Sequence, residues 1–125
     1  MFKIYPVSLS LAVVAIGATG SGVSKVLKIT DGPFRWDRLG IAAYDANGAL
    51  VPNPNISLKI KKAGFNVFAD DVSIATLQRA DQPTFPLPEA FKINQNEELT
   101  FIATGQSGSQ VTVLNLTLIG DEAAK

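Results

Sequence analysis

The sequence predicts an all-β protein, a single antiparallel β-sandwich of about eight strands. Three observations carry this reading. Residues 98–104 alternate, with Leu99, Phe101 and Ala103 on one face and Glu98, Thr100, Ile102 and Thr104 on the other. Residues 111–119 are rich in Val, Leu, Ile and Thr, and Gly105-Gln106-Ser107-Gly108-Ser109 joins the two runs, the pattern of a β-hairpin. In residues 56–61, Ile56, Leu58 and Ile60 alternate with Ser57, Lys59 and Lys61, as in a strand buried on one side. No stretch supports a helix longer than about three turns.

Taken in order, Lys3 precedes an apolar run from Val7 to Ile16, followed by a Gly/Ser-rich stretch, Gly17 to Gly22. One positive charge, a short apolar run and small residues also fit a cleavable targeting peptide. Pro6 and the alternation of Leu9, Leu11, Val13 and Ala15 with Ser8, Ser10, Ala12 and Val14 favour a strand. The run falls short of the roughly 20 residues needed to span a bilayer as a helix, so no membrane span is expected. The flexible stretch suits an arm, so Phe2 to Ile16 is expected to dock on a neighbouring chain, and its deletion to leave a folded body. Residues 1–22 therefore form an N-terminal strand or arm with its loop, 23–120 the sandwich and 121–125 a polar tail.

Val23 to Thr30 is extended, and Asp31-Gly32-Pro33 turns the chain. Phe34 to Asp45 follows as a strand, with Leu39, Ile41 and Ala43 on one face and Phe34, Trp36, Arg38 and Tyr44 on the other. Ala46-Asn47-Gly48 signals a tight hairpin. Phe65, Val67 and Phe68 mark a weaker extended stretch, Val72 to Leu77 a strand or a short helical turn, and Arg79 to Pro88 a proline-punctuated loop holding Phe85 and Leu87. The core is expected to contain Ile41, Leu58, Ile60, Leu99, Phe101, Val113 and Leu116.

Composition narrows the function. Eleven basic residues balance eleven acidic ones, without the basic excess of a nucleic-acid grip. Charged residues make up 18% against a usual share of about 25%. So little charge points to surface buried against a protein partner, copies of the same chain included. Cysteine and histidine are absent, which removes disulfides, the common zinc and copper sites, and Cys–His or Ser–His nucleophiles. Asp70 and Asp71 are adjacent and would point to opposite faces of a strand, so they read as a solvated turn. Gly17, Gly20 and Gly22 lack the Lys-Ser/Thr of a phosphate loop. No cofactor, metal or catalytic residue is expected. Phe34, Arg35, Trp36, Arg38, Tyr44 and Phe85 are the candidate interface, because aromatics and arginine are enriched at interface centres. Trp36 reads equally as a plug at one end of the sandwich. With Tyr44 it also allows a stacking platform for carbohydrate, and a cleaved leader would fit a secreted or pilus-type adhesin.

Three stretches together resemble small structural proteins of bacteriophage particles. They are Thr30-Asp31-Gly32-Pro33-Phe34-Arg35-Trp36 followed by Leu39, then Phe85-Pro86-Leu87-Pro88-Glu89-Ala90-Phe91, and the closing Val111 to Gly120. The resemblance covers most of residues 23–120, and residues 1–22 depart from it. It implies a jelly-roll-like sandwich in a virion component, such as a minor capsid, decoration, vertex or connector protein. The implied partners are the major capsid protein or other virion proteins and further copies of the chain. No catalytic residue comes with it.

Overall fold

The computed structural model describes residues 2–51, 54–62, 65–66, 72–73 and 84–123. The strands are β1 (Phe2–Ser10), β2 (Gly22–Lys28), β3 (Phe34–Tyr44), β4 (Ile56–Lys62), β5 (Phe65–Asn66), β6 (Val72–Ser73), β7 (Thr84–Ile93), β8 (Glu98–Gly105) and β9 (Val113–Glu122). One sheet has the order β1-β9-β3-β7 and the other β2-β8-β4-β5, with β6 also lying along β4. All pairings are antiparallel. The steps from β1 to β4, and again from β7 to β9, each cross from one sheet to the other. That interleaving is the jelly roll, two Greek keys folded into a double sheet.

The chain forms a sandwich because its apolar positions fall on one side of each strand. Leu114, Leu116 and Leu118 of β9 face Leu58, Ile60, Leu99, Phe101 and Ala103 of the opposite sheet in one continuous core. Ile41 packs against that core from its edge, while Val113 stands on the outer row, paired with Ser10 and Tyr44. The core expectation therefore holds for every named residue except Val113.

The expected hairpin between residues 98–104 and 111–119 is replaced by a crossover. Here β8 and β9 belong to different sheets, and residues 106–112 carry the chain across the core. A local pattern of two amphipathic runs fits both arrangements; what decides is that each strand finds better partners elsewhere. Asn47-Gly48 does form a tight turn, with Gly48 at φ 79°. Only one bridge, Tyr44 to Leu50, extends it before the chain leaves for the other sheet. Residues 84–88, read as loop, begin β7. Their prolines are tolerated because β7 is an edge strand, and the β3–β7 register breaks between Pro86 and Phe91. Of the expected stretch around Phe65, Val67 and Phe68 and the expected element Val72 to Leu77, residues 67–68 and 74–77 lie outside the described residues, as do residues 79–83 of the proline-punctuated loop.

The largest departure from the expected phase is in β3. Trp36 pairs with Gly120 and Arg38 with Ile119, so Asp37 is an extra residue, a β-bulge. The bulge shifts the alternation by one. Phe34 and Trp36 consequently join Leu39 and Ala43 in the core, all at 0% exposure. The Trp36 indole N–H donates to the Arg38 carbonyl at 2.8 Å, using the backbone that the bulge displaces. Gly120 is the matching requirement on β9, because a Cβ there would fall on the Arg35 carbonyl oxygen and lie 2.8 Å from the Phe34 ring. Gly120→Ala is therefore expected to destabilise by about 1–3 kcal/mol, the usual range for overpacking, read as a lower denaturant midpoint.

β1 is an integral strand. It runs antiparallel to β9 from Phe2↔Asp121 to Ser10↔Val113, and Val7 and Leu9 are buried. The loop after it is pinned by Val14 N–H to Ser109 O at 2.9 Å and Gly20 N–H to Gly105 O at 2.9 Å. These bonds correct the expectation of a free arm on a slack linker. β9 also runs on through Asp121 and Glu122, the first residues of the expected polar tail. The two adjacent sheet edges are guarded. Pro6 interrupts the donors of β1, and Lys25 of β2 stands opposite buried Phe101 on the inward row.

Candidate functional site

The bulge decides which candidate interface residues reach the surface. Phe34 and Trp36 are in the core and offer no contact area, so Trp36 plugs the sandwich and is not a stacking platform. Arg35 and Arg38 both point outward, on neighbouring rows, because the extra residue between them restores the same parity. Tyr44 lies half-buried at the far end of the same face. The Phe85 side chain lies outside the described residues. The structure thus places Arg35, Arg38 and Tyr44 on one outer face of the β1-β9-β3-β7 sheet, the two arginines on adjacent rows and Tyr44 three rows away.

That face can be read row by row from the register. Ile4, Ile119, Arg38 and Pro86 form one row; Pro6, Thr117 and Gly40 the next; then Ser8, Asn115 and Ala42; then Ser10, Val113 and Tyr44. Arg38 is the only charged residue in these four rows. Residues 4–24, 46–58 and 99–120 contain no Asp, Glu, Lys or Arg. Charge is instead gathered at the opposite end of the sandwich, where β1 begins and β9 ends.

At the charged end, Lys3 donates to the Asp31 carbonyl at 2.9 Å and lies 3.6 Å from its carboxylate and 3.9 Å from that of Glu122. The Tyr5 hydroxyl donates a short hydrogen bond to Asp31, and its ring packs edge-on against Phe34. Burial, that hydrogen bond and the Asp31 and Glu122 charges push the Tyr5 phenol well above its ordinary value. The Tyr5 hydrogen bond, with Lys3 beside it, holds the Asp31 carboxyl below its ordinary value. A polar cleft of about 350 Å³ opens here between Lys3, Asp31, Gln95 and Glu122. Across the sandwich, Lys62 pairs with Glu97 at 3.1 Å and sits 5.3 Å from the Phe91 ring centre. Partial burial pulls Glu97 upward, but the Asn94 backbone N–H and Lys62 outweigh it and hold the carboxyl down.

These groups answer one another, and the cluster fastens the start of β1 to the β2–β3 turn. The sign of its pH dependence follows. Asp31 and Glu97 have depressed folded-state values, so their stabilisation is present above the ordinary carboxylate range and fades as pH falls through the folded values. Melting temperature is expected to be flat from neutral pH to about 5 and to fall below about 4. Asp31→Asn should reduce that acid sensitivity; an identical acid limb in the variant would show that the pair is not coupled to folding.

At the other end the described loops are uncharged except for Asp45, whose carboxylate accepts from the Asn47 and Ala49 backbone N–H groups at 2.9 and 3.0 Å. Val13, Ile16 and Leu50 are exposed here by 51%, 93% and 57%. Sequence reading did not single these residues out. The available signal was an isoleucine beside a loop glycine, in a stretch with no nearby charge.

The fold and surface define a class: a two-sheet jelly roll with a charged end, an opposite end whose described loops carry only Asp45, and an outer sheet face whose charge is gathered in Arg38 and in the row of Asp121, Arg35 and Lys92. Among the described residues, no helix is long and apolar enough to cross a membrane. No protein-family model and no curated protein sequence matches the chain. Among solved structures, the chain is similar to the nucleoplasmin-like N-terminal domain of Drosophila FKBP39, at 10% identity and TM-score 0.41, covering 100% of this chain and 95% of that one. It is also distantly similar to the infectious bursal disease virus VP2 subviral particle, at 12% identity and TM-score 0.40 over 94% of this chain. A structure of the Gx strain of that virus matches at 13% identity and TM-score 0.36 over 98% of this chain. The chain spans 32% and 37% of those two viral chains. At such scores the likenesses carry no functional argument.

Proposed function

We propose that this protein is a non-enzymatic structural component of a virus particle, of the bacteriophage kind that its turn and strand motifs resemble. It acts by covering surface: it binds the capsid shell and copies of itself, as a minor capsid, decoration or vertex protein. The observation that carries this reading is the outer face of the β1-β9-β3-β7 sheet, where four successive rows hold only Arg38 and the remaining charge, Asp121, Arg35 and Lys92, lies in the single row at the charged end. A solvated sheet face ordinarily alternates charged and polar residues outward, whereas a face set against a protein partner is depleted in charge. The low overall charge supports the same conclusion.

The test is association with particles. The protein should co-purify with intact virus from its host at a fixed copy number per particle. Asn115→Arg, in the middle of the face, should lower that copy number without changing the melting temperature. Particles that lack the protein, or full incorporation of the Asn115→Arg variant, would overturn the reading.

A further inference from the structure

Four strands end the two sheets, and three of them are poor templates for a further strand. β1 carries Pro6, β7 carries Pro86 and Pro88 with a break in register, and β5 is two residues long. β2 differs. It runs seven residues in unbroken register on β8, from Gly22↔Thr104 to Lys28↔Glu98, with no proline and no bulge. β5, β6 and β7, and with them the ends of the segments that join them, belong to the opposite edges of the sheets.

The phase of the β2 hydrogen bonds follows from its end. Ile29 N–H donates to Glu97 O at 3.1 Å in the same register, and antiparallel bonding alternates along a strand. Val23, Lys25 and Leu27 therefore bond β8, while Ser24, Val26 and Lys28 turn their N–H and C=O groups to the free edge. No described residue bonds those outward groups. Ser24, Lys25, Val26 and Lys28 are exposed, Val26 by 54%. Val23 and Leu27 pack against the core yet stay half-buried. Lys25 stands between them on the same inward row, opposite Phe101, and makes no ion pair among the described residues.

We infer that the free edge of β2 takes up an extended segment of another protein, with Asp or Glu opposite Lys25 and an apolar residue two places to either side. Each part of that description comes from a group on β2. The outward N–H and C=O groups of alternate residues match the spacing of an extended main chain. Half-buried Val23 and Leu27 are covered by apolar neighbours on the added strand. Lys25 bonds β8, so in the new pair it occupies a non-hydrogen-bonded site, where facing side chains come closest. A carboxylate there completes a cross-strand ion pair, whereas a basic residue is repelled.

A second copy of β2 does not fit. The longest antiparallel pairing of this strand with its own likeness is centred on Lys25 and sets the two ammonium groups face to face. The lysine that guards the edge against self-pairing thus selects an acidic strand. The contact is independent of the particle reading, which rests on the outer face of the other sheet.

Amide NMR of the intact chain, titrated with a blocked nonapeptide, tests it. The peptide is built of threonine and serine, with glutamate at its centre and valine two places to either side. Binding should saturate by millimolar peptide, and the Ser24, Val26 and Lys28 amides should shift and gain protection from hydrogen exchange. A peptide with lysine at its centre should bind about tenfold more weakly, since an attractive pair becomes a repulsive one. Lys25→Glu should reverse that preference, which a merely structural lysine would not do. Val26→Pro removes an outward donor and no bond to β8, so it should keep the wild-type amide dispersion and lose binding. Absence of saturation, shifts confined to other strands, equal affinity for the two peptides, or an unchanged preference in Lys25→Glu would overturn the inference.

Discussion

Deleting residues 2–16 is expected to unfold the protein. The deletion takes Val7, Leu9 and Val14 out of the core, where they are exposed by 5%, 2% and 6%. At about 1.5–3 kcal/mol for each buried aliphatic side chain, the loss is about 5–9 kcal/mol. A domain of this size has about 5–15 kcal/mol in total. The deletion also strips β9 of its partner over the whole register from Phe2↔Asp121 to Ser10↔Val113, leaving a central strand as an open apolar edge. Far-ultraviolet circular dichroism and amide dispersion in NMR would read the outcome. A folded, monodisperse product would restore the view of these residues as a detachable arm.

Trp36→Ala is expected to cost about 3–5 kcal/mol, the range for truncating a large buried aromatic. Trp36 is fully buried beside Phe34 and Leu39. Its indole N–H also satisfies the Arg38 carbonyl at the bulge, which alanine would leave without that donor. Trp36→Phe keeps most of the volume and loses only the hydrogen bond, so it should fall between alanine and the wild type. Equilibrium denaturation gives the midpoints. A wild-type midpoint for Trp36→Ala would place the side chain at the surface and revive it as an interface residue.

How far the sequence is legible follows from the same residues. Residues 56–60 and 99–103 alternate without interruption, and the structure keeps that phase because neither run contains a bulge. Phe34, Trp36 and Leu39 do not alternate; the step of three from Trp36 to Leu39 is what a bulge produces. A strict period of two forces Trp36 to the face opposite Leu39, which is how an anchoring core residue comes to read as an interface. The hairpin reading of β8 and β9 fails for a different reason. Strand pairing depends on partners distant in sequence, and a Gly/Ser loop suits a crossover as well as a turn. Of the candidate surface, Arg35, Arg38 and Tyr44 were legible as exposed or semi-exposed positions of β3. The Ile16 projection was not, since the protrusion arises from hydrogen bonds to Ser107 and Gly108 that no local pattern announces.

The interleaved strand order also governs time. Of the described strands, only β4 and β5 are joined as near neighbours in sequence; β3 waits for β7 and β9, and β2 and β4 both wait for β8. Each pairing must close a long loop before any contact rewards it, which places such topologies in the millisecond-to-second range of folding. During synthesis at roughly 5–20 residues per second, β1 and β3 emerge seconds before the strand that lies between them. Through that interval both present apolar side chains and unpaired backbone groups, and Pro6 leaves β1 one donor fewer to offer a neighbouring strand in place of β9.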